Sequence, residues 1–286
     1  MPDGARSLFN AQHTLFLTMV ALDPRINPFR PDVAAKHLQG QVEAKRFVEG
    51  TGYQVIAPLT DLRHAPSHEA RLDTQAVLGE RVMIYEITEE GWAWGQLETD
   101  GYVGWLSANA LGPTGPAPTH KISALRAFAF PASDIKLSPI VALPMGAKLA
   151  VARQDERFAV TANGWHVPVA FLASIKARQA DFVAIAEQFL GAPYLWGGKT
   201  SLGLDCSGLV QVALQAAGIA CPRDSDMQEL AIGKLSSLAS LRRGDLVFWK
   251  GHVAIARDSE NLIHANAHHM MVAIEPAIQA IARIAA

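Results

Sequence analysis

Cysteine is scarce in this chain of 286 residues, which contains only Cys206 and Cys221. Two cysteines cannot build the disulfide framework that stabilises small secreted domains. Pairing them would also consume the thiol that is the best candidate nucleophile, as argued below. The cysteine content therefore favours a reducing compartment, and we interpret Cys221 as a structural residue.

Long apolar runs and basic tracts are missing as well. Lys and Arg number 25 against 27 Asp and Glu, a net charge of −2, which argues against nucleic acid or an anionic membrane as the main partner. The apolar stretch 14–22 is far too short to span a bilayer and lacks the basic start and cleavage site of a signal peptide. We expect a cytoplasmic protein, with Met19 as an alternative biological start.

The composition that remains, 50% hydrophobic and 18% charged, suits two or three folded domains. Residues 1–49 are predicted to form an extended arm, punctuated by proline from Asp23 onward. Alternating β-branched and aromatic residues with Asp-Gly turns predict a small antiparallel barrel over 50–112. A Pro/Gly-rich linker follows, then a second barrel over 119–175. The last domain covers 177–286 and is expected to begin with a helix over 177–190.

Cys206 stands where a helix is expected to begin. Asp205 is a typical cap and Gly218 a typical stop, and between them apolar residues recur at i, i+3, i+4 and i+7. Free backbone N–H groups and the helix dipole at this end favour a thiolate over a thiol. Cys206 is thus a candidate nucleophile; the simpler interpretation is a small buried cysteine.

Two histidines follow on predicted neighbouring strands. Strand alternation places His252 on one face with Ala254 and Ala256, whose small side chains would leave room for a substrate. His264 reaches the same face only if the connecting loop has an odd number of residues, and a three-residue loop, 258–260, would set it opposite Ala254. We predict this register.

These residues suggest acyl transfer. Cys206 would attack a carbonyl carbon, His252 would take and return the proton, and His264 would orient the His252 ring through its second nitrogen. The Cys206 amide and the Tyr194 hydroxyl are candidate donors to the oxyanion. Tyr194 and Trp196 are both candidate substrate-binding residues, although core packing is the simpler interpretation of each.

At this point the motifs resemble a family. Gly-x-Pro-Tyr-x-Trp-Gly-Gly, Asp-Cys-Ser-Gly-Leu-Val, Gly-Asp-Leu-Val-Phe-Trp, Gly-His-Val-Ala-Ile and Ile-His-Ala occur in order over about 180–275. They are similar to the NlpC family of papain-like cysteine peptidases, which cut bacterial cell-wall peptides. The resemblance implies an α+β fold, with a papain-like catalytic domain preceded by two small all-β SH3-like barrels. It also implies a catalytic triad and a cleft lined by further residues: Cys206, His252 and His264 for the triad, and Tyr194, Asp205 and Ser207 for the cleft.

The same resemblance implies a substrate. Members with two SH3-like domains include enzymes of murein-peptide recycling, which cleave after γ-D-glutamate in peptides with a free N-terminal L-Ala. There an acidic residue and a tyrosine of the first barrel hold the amine, together with the Asp before the cysteine. In this chain Asp205 fits that Asp, Tyr102 is the candidate tyrosine and Glu69 the candidate acid. An ordinary turn aromatic and a solvated surface acid are the simpler interpretations of the last two.

A run resembling a substrate-contacting Arg-Asp-Ser segment follows the catalytic helix as Arg223, Asp224 and Ser225. Arg223 and Ser225 could hold a substrate carboxylate, although a plain polar turn explains the run as well. Three alternatives stay open: a secreted enzyme that lyses intact walls, a non-catalytic wall-peptide binding module, and a zinc site made of Cys206, the two histidines and His268. We expect no cofactor or metal, murein-derived peptides as partners, and an undefined oligomeric state.

Overall fold

The computed structural model describes residues 22–234 and 236–284. The alternative start at Met19 and nearly all of the apolar stretch 14–22 lie outside the described residues. None of the helices in the described part is long and apolar enough to cross a membrane.

The described part of the expected arm is folded, which corrects the prediction for residues 22–49. It holds two short parallel strands, β1 (Val33–Ala35) and β2 (Arg46–Val48), and a 3-10 turn at Lys36–Leu38. Val33 is fully buried in a cluster with Trp94 and Trp105. The Arg30 guanidinium lies 4.3 Å and 4.6 Å from the centres of these two tryptophan rings. The segment packs because it covers tryptophans contributed by residues far along the chain, which local proline content does not reveal.

The first β domain is one antiparallel sheet of seven strands with its own apolar core, at the place where the first barrel was predicted. The strand order is β5-β4-β8-β7-β6-β3-β9. The strands are β3 (Thr51–Val55), β4 (Leu59–Arg63), β5 (Leu72–Val77), β6 (Arg81–Ile87), β7 (Trp92–Leu97), β8 (Val103–Ser107) and β9 (Leu111–Pro113), with a 3-10 turn at Ala108–Ala110.

The second β domain consists of three small sheets around a separate core. Its strands are β10 (His120–Ile122), β11 (Arg126–Ala129), β12 (Val141–Pro144), β13 (Lys148–Leu149), β14 (Val151–Gln154), β15 (Phe158–Thr161), β16 (His166–Pro168) and β17 (Leu172–Ser174), with a 3-10 turn at Val169–Phe171. The sheets are β13-β10-β17, β11-β12 and β14-β15-β16. The segment is therefore all-β, and its likeness to an SH3 barrel stays a prediction.

The first helix of the last domain is shorter than the predicted 177–190. Helix α1 (Phe182–Gln188) begins only after Asp181, whose carboxylate accepts hydrogen bonds from the Val183 and Ala184 amides. Because a capping side chain satisfies the free amides of the first turn, the helix starts at its cap and not at the first apolar residue. Residues 177–180 lie outside it.

A four-stranded antiparallel sheet and three further helices complete this domain. After the hairpin of β18 (Lys199–Thr200) and β19 (Gly203–Leu204) come α2 (Cys206–Ala216), α3 (Ser225–Ala231), a 3-10 turn at Leu238–Ser240, β20 (Leu246–Trp249), β21 (His252–Ala256), β22 (Asn261–Asn266), β23 (Met271–Pro276) and α4 (Ala277–Ile284). The sheet order is β20-β21-β22-β23.

The two faces of this sheet are covered by different helices. Leu209 and Val210 of α2 belong to one apolar cluster with Val253 and Ile255 of β21. On the opposite face α4 packs over a second cluster, which contains Val247, Ala254, Ala256, Leu262, Ala277 and Ala280. The space beside Ala254 and Ala256 that we expected to receive a substrate is thus filled by α4. The small side chains admit a helix instead.

Candidate active site

Cys206 is the first residue of α2, as predicted. The Asp205 carboxylate caps this helix by accepting a 2.7 Å hydrogen bond from the Gly208 amide. A Cβ at Gly208 would lie only 2.3 Å from the Gly198 carbonyl oxygen, so glycine is what lets the loop 197–198 lie against the helix start. The cap and this close approach fix Cys206, which is 7% exposed.

The expected thiolate is not what the surroundings of the sulfur favour, which corrects the prediction. Burial, followed by the negative charge of Asp205, raises the pKa of the Cys206 thiol to about 11. Hydrogen bonds from the backbone amides of Val253 and Ser207 act in the opposite direction but are outweighed. At neutral pH the resting group is therefore a thiol.

His252 and His264 meet as the predicted register requires. Ile255 pairs with Ile263, and Ala256 pairs with Leu262. Extended by one residue on each strand, this register leaves the three-residue loop 258–260, so the predicted odd loop length is confirmed. Nε2 of His252 lies 2.8 Å from Nδ1 of His264, whose side chain is fully buried. The second histidine thus holds the ring of the first.

A third polar residue, Glu275, completes this chain of contacts, and the sequence argument missed it. Its Oε1 lies 2.7 Å from Nε2 of His264 and also accepts a hydrogen bond from Arg283 of α4. His264 pairs with Ala273 on β23, so strand alternation puts Glu275 on the same face, diagonal to the histidine. The sequence offered one signal, a single acidic residue within the apolar run 271–276. That residue predicts a contact with His264 only when the register of β23 is known.

The contacts assign the histidine protons. Because the Glu275 carboxylate can only accept, Nε2 of His264 carries a proton, and its Nδ1 then accepts from Nε2 of His252. Nδ1 is the nitrogen of His252 left for the thiol. Burial, followed by the unfavourable effect of placing a second positive charge beside His264, lowers the pKa of His252 to about 4, so this ring is neutral at pH 7. Among the hydrogen bonds of the described residues, none joins the Cys206 sulfur to His252 in this resting arrangement.

Arg223 does not face a substrate, contrary to expectation. Its side chain is 1% exposed and forms a buried ion pair with Asp205, with Nη2 2.8 Å from Oδ2 and Nη1 2.9 Å from Oδ1. It also donates to the hydroxyls of Ser207 and Thr74 and to the Gly198 carbonyl. All its donors are used within the protein, so Arg223 orients Asp205 and Ser207 behind the cleft and cannot bind a carboxylate there.

A cavity of about 260 Å³ opens beside the thiol, where the N-terminal segment, the first β domain and the last domain meet. Most of the predicted cleft residues line it, and so do four charged residues that the sequence argument missed. The first set is Tyr102, Tyr194, Trp196, Asp205, Cys206, Ser207, Asp224 and Ser225, and the second is Arg25, Arg71, Asp73 and Asp226. Four aspartates against two arginines give the cavity an excess of negative charge.

Two aromatic residues of the cavity do not lie where their simpler interpretations placed them. Trp196 is 58% exposed, so it is not a core residue. Tyr102 is buried rather than displayed on a turn, and its hydroxyl donates a 3.1 Å hydrogen bond to Asp224. Tyr194 is partly buried against the core of the last domain, and burial raises the pKa of its hydroxyl to about 12, so it remains a hydrogen-bond donor.

The acidic candidate from the first β domain was wrong. Glu69 is exposed and does not line the cavity, whereas Asp73 of β5 does. Both belong to the same hairpin region, but only Asp73 of the two reaches the cavity, and this depends on how the domains pack. Within residues 22–234 and 236–284, no group of three or more His, Cys, Asp or Glu side chains is arranged to hold a metal ion.

Comparison with protein families decides what the last domain is. The NlpC/P60 family model matches residues 191–281, the stretch that contains the cysteine, both histidines and Glu275. The chain carries an NlpC/P60 domain. A second model, the bacterial dipeptidyl-peptidase Sh3 domain, matches residues 62–111 of the first β domain. One of the two predicted SH3-like domains is thereby confirmed.

Two known proteins with similar sequences are peptidases by name. The chain is 30% identical over 206 residues to a Gamma-D-glutamyl-L-lysine dipeptidyl-peptidase of Bacillus subtilis, covering 62% of this chain and 64% of that protein. A protein of the same name from Bacillus cereus is 32% identical over 50% of this chain and 43% of its own length. The matches thus span less than two thirds of either relative.

A solved structure supports the fold. An NlpC/P60 family protein from Bacillus cereus aligns with a TM-score of 0.69 at 22% sequence identity, over 79% of this chain and 94% of that one. At this identity the similarity establishes architecture alone. The mixed α/β catalytic fold with a preceding SH3 domain is therefore confirmed.

Proposed function

We propose that this protein is a cysteine peptidase that hydrolyses the γ-D-glutamyl to diamino-acid bond of short cell-wall peptides with a free N-terminal L-Ala. The observation that carries this proposal is the position of the cavity. It adjoins Cys206 and is bounded on another side by Tyr102 and Asp73 of the first β domain and by Arg25. A cleft bounded in this way leaves room for only a short acyl segment beyond the reacting carbonyl.

The proposed reaction begins with a neutral thiol on Cys206 and a neutral imidazole on His252. The Cys206 sulfur attacks the γ-carbonyl carbon of the D-glutamyl residue while Nδ1 of His252 takes the thiol proton. The resulting imidazolium is stabilised through His264 by the Glu275 carboxylate, since negative charge at the end of this chain favours protonated histidine. The oxyanion receives hydrogen bonds from the Cys206 amide and the Tyr194 hydroxyl.

The second half reverses the roles. His252 returns the proton to the leaving amine of the diamino acid, which departs and leaves the dipeptide as a thioester on Cys206. A water molecule then gives its proton to His252 and attacks the thioester carbonyl, releasing L-Ala-γ-D-Glu and restoring the thiol. Because the pKa of His252 lies near 4, the base is neutral and active throughout the physiological range.

Charge supports the choice of a free amine at the other end of the substrate. Four aspartates and two arginines line the cavity, so a substrate ammonium is attracted to it. A free ammonium needs an anionic partner when it leaves water, which a blocked N-terminus does not. Both relatives' names specify γ-D-glutamyl-L-lysine peptides, and this agrees with such a substrate. Neither cysteine forms a disulfide, in keeping with a recycling role in a reducing cytoplasm.

Product analysis tests the proposal. Purified protein is incubated with L-Ala-γ-D-Glu-L-Lys and with the corresponding meso-diaminopimelate peptide, and products are followed by mass spectrometry, with Cys206→Ala as control. We expect L-Ala-γ-D-Glu and the free diamino acid from the wild type only. Failure to cleave either tripeptide, together with clearing of a suspension of intact cell walls, would contradict the proposal and favour a wall-lytic enzyme.

A further inference from the structure

A second cavity, of about 380 Å³, lies where the first β domain, the second β domain and the last domain meet. We call it the junction cavity. Glu80 comes from the first of these domains, Lys121 and Lys148 from the second, and Gln215 of α2 from the third. None of its lining residues belongs to the cavity beside Cys206. Its volume falls within the range of about 300–1,000 Å³ that is typical of small-molecule sites.

The junction cavity carries positive charge, whereas the cavity beside the thiol carries negative charge. Three lysines and one glutamate line it, which leaves an excess of positive charge. Lys199 is 4% exposed, and its Nζ lies 3.4 Å from Oε2 of Glu80, so these two charges offset each other. Among the described residues, Lys199 is the one lysine of the cavity that forms an ion pair. The charges of Lys121 and Lys148 therefore have no direct anionic partner in this part of the chain.

Lys121 is surrounded by charges of its own sign. Burial, followed by the positive charges of Lys148 and Arg178, lowers the pKa of the Lys121 ammonium. Arg178 packs over Gly218, which lines the cavity, and an added Cβ at this glycine would lie 2.7 Å from Nε of the arginine. Three cations are thus gathered at one side of the cavity, and a bound anion would offset their mutual repulsion.

Much of the remaining wall is apolar, and it includes a free hydrogen-bond donor. Nε2 of Gln215 is buried and has no hydrogen-bond partner in the part of the chain that the structure describes. A buried donor without an acceptor is destabilising, and an acceptor on a ligand would satisfy it. Six apolar side chains complete this wall: Val77, Ile122, Met145, Ile175, Val212 and Ile219.

We propose that the junction cavity binds a small organic anion with an apolar body, whose acidic group is held by Lys121 and Lys148 and whose body lies against the apolar wall. The inference goes beyond the proposed function, because the cavity beside Cys206 has the opposite charge and receives an ammonium. The ligand contacts three domains at once, including the end of α2 opposite to Cys206. Its binding is measured without peptidase activity, so either proposal can fail while the other stands.

Binding of 1-anilinonaphthalene-8-sulfonate to the full chain tests the proposal. This probe joins a sulfonate to an apolar ring system, and its fluorescence rises in apolar sites. We expect saturable binding to the wild type. Lys121→Met and Lys148→Met nearly keep the length of the side chain and remove its charge, so each should raise the Kd at least about tenfold. Lys148→Arg keeps the charge and should stay within about threefold of the wild type.

N-phenyl-1-naphthylamine, which is the same ring system without the sulfonate, is the matched control probe. We expect its affinity to be equal in the wild type and in the two methionine variants. Lys36→Met is the matched control variant, because Lys36 is exposed and does not line the cavity, and it should bind the sulfonate as the wild type does. Ala216→Phe fills the cavity from α2 and should weaken the binding of both probes.

Three results would overturn the proposal. The first is no saturable binding of the sulfonate to the wild type, and the second is equal affinity in the wild type, Lys121→Met and Lys148→Met. The third is sulfonate binding that Ala216→Phe leaves unchanged, since the probe then occupies another surface. Circular dichroism checks the fold of each variant, and Lys148→Arg together with Ala216→Phe carries the test if a methionine variant fails to fold.

Discussion

Replacing Glu275 with glutamine removes one negative charge from the end of the histidine chain and keeps the size of the side chain. Glu275 accepts from His264 at 2.7 Å, and His264 in turn contacts His252 at 2.8 Å. A hydrogen bond to a charged group contributes about 1.5–3 kcal/mol. If that stabilisation is realised when His252 becomes protonated, its loss lowers kcat about tenfold to a hundredfold.

The charges around His252 also predict in which direction the pH profile of the activity shifts. The Glu275 carboxylate raises the pKa of His252 and the Arg283 guanidinium lowers it, while burial keeps the value near 4. Activity needs the neutral base, so it is present above this pKa and lost as the pH falls through it. Glu275→Gln therefore moves the acid limb to lower pH, and Arg283→Gln moves it to higher pH.

The assay is kcat measured from pH 3 to 8 on the free-amine tripeptide, with folding checked by circular dichroism at each pH. Glu260→Gln, an exposed acid in the loop between β21 and β22, is the matched control and should leave the profile unchanged. An unaltered kcat in Glu275→Gln, or acid limbs that shift in the same direction in both variants, would refute the role of the histidine chain.

Three further predictions follow from the burial of the site. Alkylation of Cys206 by iodoacetamide should keep accelerating as the pH rises toward about 11, because burial raises the thiol pKa; a plateau already reached by pH 7 would mean a preformed thiolate. Arg223→Leu leaves Asp205 buried without its partner and should reduce the free energy of unfolding in urea by about 3–5 kcal/mol; an unchanged transition midpoint would contradict this. Gly208→Ala places a Cβ 2.3 Å from the Gly198 carbonyl oxygen, so it should lower both stability, by about 1–3 kcal/mol, and activity. Gly164→Ala has open space at its Cβ and a strained φ of +83°, so it should lower stability alone and retain full activity.

Local signals predicted the parts of the site that depend on local structure. The cap at Asp205 and the apolar periodicity after it placed Cys206 at the first residue of α2. The expected odd loop length placed His264 beside His252. A strand residue faces one of the two sides of the sheet, and the loop length decides which side His264 faces. Both conclusions need only neighbouring residues.

The remaining features depend on packing between distant segments. The raised thiol pKa is a consequence of burial by several elements, which a helix-terminus argument does not include. Arg223 matched a binding motif, but Asp205 and Thr74 enclose it from two domains. Asp73 lines the cavity and Glu69 does not, and the sequence holds no local signal for that choice.

The most direct test of the mechanism is intact-protein mass spectrometry of a reaction with L-Ala-γ-D-Glu-L-Lys, stopped in acid within the first turnovers and followed by peptide mapping. The mechanism predicts a species heavier by one L-Ala-γ-D-Glu acyl group, with the added mass on the peptide that contains Cys206 and no such species in Cys206→Ala. Continued cleavage by Cys206→Ala, or an adduct on another residue, would contradict it.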